Sequence, residues 1–460
     1  MAFVARKLIL LSLSFSRAAS LAGVACLVVP LIGPAAMPGE ARLQDLAYAR
    51  EHYVLASHAF SSTARQHALH LIHDLEQRAA VLSDAEFLIG IERLAALAQN
   101  GHDSVQFIEG AWRPEGRLPL RIIWFPDAMV IARAGPPVRD LAGARIISIE
   151  GLTSDVLFSR LAELCGGNEG YQRWNVIWAV ESQGILSALG MARSPDQIQF
   201  KLALPDGRQV ERIVKMVPSN EIPAMRAVRL WSRELSAEEA HHGWRTAIDG
   251  GDEPLYLKDA DEPFRLTALP AMNASYLQFR TNYDLNGYSI RAFAGKVQEK
   301  LAAHHSRNLI VDLRFDTGGD ISRTAALMRE LRNYVTGRIY LLIGRYTFSA
   351  GIVAAAIVKN SGGDRVRVIG ENVGDRLRWW SEGRDACLPN SHLCLHVNDG
   401  LWDLSKGCAG EPDCYGDRFV PAIGSLDPEV SAPFTAAAWL SRRDPAMEII
   451  EAELKKLPLR

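Results

Sequence analysis

Residues 308–320 read NLIVDLRFDTGGD, an almost uninterrupted apolar run that ends in two adjacent glycines. A strand with apolar residues at nearly every position is typical of a sheet that is buried on both faces. The neighbouring runs SYLQFRT (275–281), IYLLIG (339–344) and VRVIGE (366–371) alternate with segments of helical periodicity. This alternation predicts a parallel α/β sheet, in which ligands bind at the carboxyl ends of the strands.

Two strand-to-helix junctions carry residues of chemical interest. Gly318 and Gly319 follow the first run, and adjacent glycines let the backbone turn sharply and expose its N–H groups, as an oxyanion hole requires. Ser349 lies in YTFSAGIVAAAIV (346–358), after the next strand and before a helix of small residues. A serine at a helix start is often an N-cap, but on the same sheet edge as a glycine turn it also suits a nucleophile.

Bulk composition excludes some classes of function. The chain has 460 residues, so we expect two or three domains. Its apolar fraction of 48%, charged fraction of 23% and net charge of −2 are those of an ordinary globular protein. There is no excess of basic residues to hold phosphates, which argues against nucleic acid as a partner.

The N-terminal segment has the layout of an export signal. Arg6 and Lys7 precede apolar stretches that end in a small-residue site near Ala36. We therefore predict a signal peptide over residues 1–36 and a periplasmic or secreted protein. The alternative is an uncleaved membrane anchor, although prolines interrupt the apolar stretch. Contact with a membrane is expected only through this segment.

Five cysteines follow that segment: Cys165, Cys387, Cys394, Cys408 and Cys414. In an oxidising compartment the last four favour two local disulfides, such as 387 with 394 and 408 with 414, which would leave Cys165 free. A metal site that combines these thiols with His392 and His396 is the alternative, but the chain has no CxxC pair.

Changes of pattern divide the chain into segments. Residues 37–105 have apolar residues at helical spacing, and residues 115–217 contain short β-type runs around one helix, with an Asp-Gly hairpin turn near the end. Residues 218–268 lack periodicity and are interpreted as a linker. Residues 269–460 form the predicted α/β domain.

Several motifs, taken in order, resemble one family. DLRFDTGGD (312–320) and TFSAG (347–351) are similar to the glycine turn and nucleophile segment of the C-terminal processing peptidase and tricorn core-protease family. GENVGD (370–375), LDPEV (426–430) and LAALAQNGHDS (94–104) resemble further parts of it. The resemblance implies a PDZ-like module at 115–217, a crotonase-like serine peptidase domain at 269–460, and peptide or unfolded protein substrates. It implies no metal or organic cofactor.

The resemblance also implies site residues. Ser349 is the expected nucleophile, with backbone N–H groups of Gly318, Gly319 and Ala350 as the oxyanion hole. One branch of the family uses a lysine base after the serine, but GENVGDR contains none and Lys359 lies inside the predicted helix. The other branch implies His102 as general base, since an imidazole titrates near neutrality. The alternative role for His102 is to stabilise a helix dipole from a nearby loop.

The carboxylate that should orient the base is not determined by the sequence. Glu371, Asp103 and Asp417 are candidates, and each is equally explained as a solvated charge. Trp379 and Trp380 are expected either to shape a substrate pocket or to pack in the core.

Two other functions are considered. A peptide-binding protein of the same architecture that has lost catalysis would explain the missing lysine. An acyl-transfer or hydrolytic enzyme acting on a small thioester would share the crotonase-like fold, but predicted export and the peptide-binding module argue against it.

Overall fold

A computed structural model describes residues 36–111, 113–114, 116–194, 196–223, 227–285, 287–304 and 306–456. The predicted signal peptide therefore lies outside the described residues, apart from Ala36. Within the described ranges, no helix is long and apolar enough to cross a membrane.

The N-terminal region is helical, as the periodicity predicts. Its helices are α1 (Gly39–Ala49), α2 (Ser62–Arg78) and α3 (Asp84–Ala96). The start of α3 is fixed by a capping box, in which the Ser83 hydroxyl accepts the N–H of Glu86 and the Glu86 carboxylate accepts the N–H of Ser83. A turn that contains His102 follows, and then the short strand β1 (Val105–Phe107).

The next segment is the β-rich module. Its elements are β2 (Gly116–Arg117), β3 (Leu120–Trp124), β4 (Met129–Ala134), β5 (Arg145–Ile149), α4 (Ser154–Leu161), α5 (Glu169–Asn175), α6 (Ile177–Val180), α7 (Gln183–Ala188), β6 (Gln197–Ala203), β7 (Gln209–Lys215) and β8 (Val217–Pro218). Strands β3 to β7 form one antiparallel sheet in chain order. The sequence predicts the strands, α4 and the β6–β7 hairpin, but not the three short helices α5 to α7.

Residues 218–268 contain short elements that the sequence did not indicate. These are α8 (Ala227–Trp231), α9 (Ala237–His241) and β9 (Arg245–Thr246), of which β9 pairs with β4 of the module.

The α/β domain follows. Its elements are β10 (Phe264–Leu269), β11 (Ala274–Phe279), α10 (Ile290–His304), β12 (Asn308–Asp312), α11 (Ala325–Glu330), β13 (Ile339–Ile343), α12 (Ala350–Gly362) and β14 (Val366–Gly370). Strands β11 to β14 are parallel neighbours, and β10 adds an antiparallel edge. Every residue of β12 and β13 is buried, which confirms the two-sided burial predicted from NLIVDLRF and IYLLIG.

The cysteine-rich stretch forms strands rather than irregular loops. They are β15 (Arg378–Ser381), β16 (Arg384–Cys387), β17 (Leu393–Val397) and β18 (Gly400–Asp403). A disulfide joins Cys387 to Cys394 across the β16–β17 hairpin and another joins Cys408 to Cys414, while Cys165 is free. The predicted pairing is confirmed. Strand β17 also pairs with β1, so this hairpin holds the strand that follows His102.

The chain ends with β19 (Val430–Ser431), which pairs with β14, and with the helices α13 (Ala436–Leu440) and α14 (Pro445–Lys456). The whole is a mixed α/β fold, as predicted. The PDZ-like and crotonase-like assignments and the segment boundaries stay predictions.

Candidate active site

Three adjacent strands bring distinctive residues to one edge of the central sheet. Gly318–Gly319 follows β12, Ser349 follows β13 and Asp375 follows β14. Because these strands are neighbouring and parallel, their carboxyl ends share an edge. His102 reaches the same edge from the loop after α3, as the contacts below show.

Ser349 has a strained backbone. Its φ of 52° and ψ of −124° lie where a residue with a side chain is uncommon. Ser349 precedes the first residue of α12, yet its side chain makes no capping hydrogen bond. Ser349 thus occupies the N-cap position, but the alternative role as a side-chain cap is not supported by its contacts. The hydroxyl is half-buried and is not used to satisfy the helix start.

Hydrogen bonds to backbone carbonyls hold the serine turn, residues 347–350, in place. The N–H of Phe348 donates to the carbonyl of Asp316 at 2.9 Å, and the Thr347 hydroxyl donates to the carbonyl of Leu313 at 2.8 Å. Both acceptors belong to the segment after β12, which leads into the glycine turn at Gly318 and Gly319. These bonds therefore fix the serine turn relative to the glycine turn. A Cβ on Gly318 would lie 2.7 Å from the Cβ of Ser349, so only glycine permits this approach.

The three predicted oxyanion donors differ in their bonding. The N–H of Gly318 donates to Oδ1 of Asp316 at 3.0 Å. In the part of the chain that the structure describes, the N–H groups of Gly319 and Ala350 have no hydrogen-bond acceptor. These two N–H groups remain available to an oxyanion, whereas that of Gly318 is occupied.

His102 packs against two aromatic rings. Its imidazole stacks on Phe348, the residue before Ser349, with ring centroids 4.5 Å apart. The ring of Trp379 in β15 lies parallel to the imidazole, with centroids 6.2 Å apart. Both ring nitrogens are buried and have no hydrogen-bond partner among the described residues. His102 thus bonds no helix carbonyl, and the dipole role is not supported by its contacts.

Asp375 is the carboxylate that faces the imidazole. Its Oδ2 lies 3.9 Å from Nδ1 of His102, too far for a hydrogen bond. The carboxylate accepts the N–H of Gly101 at 3.0 Å and that of Arg376 at 2.8 Å. A Cβ on Gly101 would lie 2.6 Å from Oδ2 of Asp375, so a larger residue at 101 would displace this carboxylate.

Burial shifts the pKa of each of these groups. Desolvation, with a smaller electrostatic effect of His396, lowers the pKa of His102 to about 3. Desolvation raises the pKa of Asp375 to about 6 against the opposing effect of its two backbone hydrogen bonds. Desolvation likewise raises the pKa of Asp316 to about 7. His102 is therefore neutral at physiological pH and free to accept a proton.

The loop that carries His102 is fixed on both sides. Asn100 donates its amide to the carbonyl of Trp380 at 2.8 Å and accepts the N–H of Trp380 at 3.0 Å. The Tyr171 hydroxyl donates to the carbonyl of Gly101 at 2.8 Å, and its ring stacks on Phe348. The histidine is thus held by the β-rich module, the serine turn and β15 together.

None of the three carboxylates named from the sequence is shown to contact His102. Glu371 forms an ion pair with Arg345, with atoms 2.7 Å apart. Asp103 is buried and accepts hydrogen bonds from Tyr53, Asn100 and Asn398. Asp417 accepts the N–H of Cys408.

Sequence reasoning missed Asp375, although it ends the quoted motif GENVGD. The motif's position after a predicted buried strand was the available signal. Lys359 points away as predicted, because its ammonium donates to the carbonyl of Ser425 at 2.7 Å.

The tryptophans and cysteines serve packing and cross-linking in the described structure. Trp379 is 3% exposed and stacks on Trp402 at 5.6 Å, so it belongs to the core as well as to the wall beside His102. Within the described residues, one group of three possible metal ligands is close enough to share an ion: Cys408, Cys414 and Asp417. Its two sulfurs are bonded to each other, and a disulfide supplies no thiolate.

Solved structures of other proteins share this fold, although sequence comparison alone finds no match. No family model and no curated protein matches the sequence. The structure of mature CPAF complexed with lactacystin is 13% identical, with 91% of this chain and 98% of that chain covered and a TM-score of 0.59. Another structure of mature CPAF is 12% identical, with 91% and 97% covered and a TM-score of 0.57.

The photosystem II D1 C-terminal processing protease is 14% identical, with 85% of this chain and 93% of that chain covered, but its TM-score is only 0.38. The structural neighbours are proteins of the C-terminal processing peptidase and tricorn family, the family that the sequence motifs resemble. At these identities the likeness to CPAF shows a shared fold.

Proposed function

We propose that this protein is a serine peptidase that hydrolyses peptide bonds through an acyl-enzyme on Ser349. The observation that carries the proposal is the strained Ser349 turn: the hydroxyl of Ser349 caps no helix, and its Cβ lies against Gly318. A strained backbone at such a junction is common where a nucleophile must be presented. The shared fold of CPAF supports the same class of activity.

The chemistry follows from the residues at the sheet edge. Oγ of Ser349 attacks the carbonyl carbon of the scissile peptide, and its proton passes to Nε2 of His102. The carbonyl oxygen becomes an oxyanion that the N–H groups of Gly319 and Ala350 stabilise. When the carbon–oxygen double bond re-forms, the carbon–nitrogen bond breaks and the leaving amine takes the proton from His102. Water then repeats the sequence on the ester and releases the acid.

Asp375 orients the base. An approach closer by about 1 Å would bring its carboxylate within hydrogen-bond distance of the His102 Nδ1–H. The ionised carboxylate and the faces of Phe348 and Trp379 would then stabilise the imidazolium. This stabilisation is needed because burial alone opposes a charge on His102.

The remaining parts of the chain fit a peptide substrate. Residues 115–217 act as a PDZ-like module that presents extended peptides or unfolded protein to a crotonase-like catalytic domain. A cavity of about 410 Å³ beside β3, with Trp174, Trp178 and Trp231 in its wall, gives such a peptide room. Residues 1–36 direct export to the periplasm or beyond the cell, where the two disulfides persist.

A fluorophosphonate probe tests the proposal, because it reacts with an activated serine. Wild-type protein should be labelled, Ser349→Ala should not, and His102→Ala should be labelled far more slowly. Ser361→Ala, near the other end of α12, is the matched control and should be labelled like wild type. Lactacystin, with which mature CPAF forms a complex, is a second compound whose binding can be compared between wild type and Ser349→Ala. An unlabelled wild type would instead favour the inactive peptide-binding protein.

A further inference from the structure

The loop after β11 lies directly beside Gly319, whose N–H is one of the two available oxyanion donors. Asn282 in this loop donates its N–H to the carbonyl of Gly318 at 2.8 Å, and its carbonyl accepts the N–H of Asp320 at 3.3 Å. Its side chain donates to the Asp316 carboxylate at 2.8 and 3.0 Å. These bonds enclose Gly319 from both sides, so the backbone at Asn282 is fixed relative to the oxyanion site.

The next residue, Tyr283, presents an exposed aromatic ring at this point. It is 55% exposed, and a Cβ placed on Gly319 would lie 3.0 Å from Cδ2 of its ring. Among the described residues, its ring stacks on no other ring and its hydroxyl has no hydrogen-bond partner. A large, half-exposed aromatic side chain on a fixed backbone beside Gly319 is the kind of surface that binds a ligand.

Tyr288, in the same loop, differs from Tyr283 in having partners within the protein. Its ring packs edge-on against Phe264 at 6.0 Å, and its hydroxyl donates to Glu262 at 3.4 Å. A ring contact and a hydrogen bond thus hold the Tyr288 side chain, whereas that of Tyr283 has neither among the described residues.

The charges around Tyr283 are largely compensated. Arg323 bridges Asp284 at 2.8 Å and Asp320 at 3.2 Å. Two carboxylates and one guanidinium leave one net negative charge near the ring. An acidic substrate side chain would be repelled here, and an apolar one would cover the ring without losing a hydrogen bond.

We propose that Tyr283 determines specificity by packing against the substrate side chain on the acyl side of the scissile bond, and that this side chain is apolar. The proposal rests on the peptidase function above. In the proposed mechanism that side chain belongs to the residue whose carbonyl oxygen binds the Gly319 N–H, and Gly319 is the residue that the Tyr283 ring adjoins. Loss of an apolar contact of this kind costs about tenfold in kcat/KM.

Matched peptides that carry Leu, Phe, Ala, Lys or Asp at this position test the proposal. For wild type, kcat/KM should be highest for Leu and Phe and lowest for Asp. Tyr283→Ala should lower kcat/KM about tenfold for Leu and Phe but little for Ala. Tyr283→Phe should keep the preference, and Tyr288→Ala, the control in the same loop, should leave it unchanged.

Labelling by a small alkyl fluorophosphonate separates the two proposals. This probe has no peptide side chain, so its reaction with wild type reports the proposed nucleophile alone. A labelled and active wild type whose Leu-to-Ala ratio does not change in Tyr283→Ala would overturn the specificity proposal alone, as would a wild type that prefers Asp or Lys. A wild type that is neither labelled nor active would overturn both.

Discussion

Nδ1 of His102 lies 3.9 Å from Oδ2 of Asp375, on a ring whose two nitrogens have no hydrogen-bond partner among the described residues. A buried imidazole without a partner is costly, because each buried polar atom loses its bonds to water. The arrangement is explained if both nitrogens are used during the reaction, Nε2 by the serine proton and Nδ1 by the carboxylate.

Replacement of Asp375 tests its orienting role. Asp375→Asn keeps the size of the side chain but removes the negative charge that supports the imidazolium, so we expect kcat to fall about 10²- to 10⁴-fold. Steady-state peptide hydrolysis measures the effect. Asp385→Asn is the control, because Asp385 is an exposed carboxylate that pairs with a different histidine, His396. Similar kcat values for the two variants would rule out the role.

The pH dependence of kcat/KM should report the same carboxylate. The pKa of Asp375 is raised to about 6, so its ionised form is lost as the pH falls through that value. His102 stays neutral over this range, because its pKa is lowered to about 3. Activity should therefore rise with pH with a midpoint near 6, and this step should vanish in Asp375→Asn. If kcat/KM of Asp375→Asn still rises with a midpoint near pH 6, a titrating group other than Asp375 causes the rise.

The raised pKa of Asp375 also affects stability. As the pH rises, activity should increase but the contribution of Asp375 to stability should decrease. Between the unfolded value of about 4 and the folded value of about 6, the folded protein binds more protons at Asp375 than the unfolded chain does. This carboxyl therefore stabilises the fold less as the pH rises through that window. Urea unfolding at pH 4.5 and 6.5 should show that wild type loses stability relative to Asp375→Asn as the pH rises.

Asp316 should act as a positioning residue for the oxyanion hole. It accepts the N–H of Gly318, the amide of Asn282 and, through its carbonyl, the N–H of Phe348. Asp316→Ala should lower kcat about 10²-fold with little change in KM, the scale seen when an oxyanion donor is lost. Asp316→Asn, which keeps an acceptor for Gly318, should retain most activity. An equal loss in both variants, with equal melting temperatures, would contradict this role.

Trp379 should control the basicity of His102. Burial is the main cause of the lowered pKa of His102, and Trp379 is one of the rings that cover the imidazole, so Trp379→Ala should raise this pKa from about 3 toward 6.5. Titration of the imidazole by NMR measures the shift. Trp380→Ala, which removes the ring of the next residue in the chain, is the comparison, and an equal shift in both variants would show that the Trp379 ring is not the cause.

The sequence predicts the parts of this site that follow from local pattern. Buried strands followed by turns place Gly319 and Ser349 at one edge, and cysteine spacing in an oxidising compartment predicts both disulfides. Asp375 could not be chosen from the sequence, because a loop carboxylate is indistinguishable from a solvated one until the fold brings Gly101 against it. The pairing of β1 with β17 and the occupation of the Gly318 N–H by Asp316 are likewise contacts between distant segments.

The most direct measurement is mass spectrometry of the fluorophosphonate-treated protein after trypsin digestion. Cleavage after Arg345 and Lys359 releases the peptide 346–359, in which Ser349 is the only serine. We predict one adduct per chain, located on this peptide with fragment ions that assign it to Ser349, and its absence from Ser349→Ala. An adduct on another serine, or none on a folded wild-type protein, would contradict the proposal that Ser349 is the nucleophile.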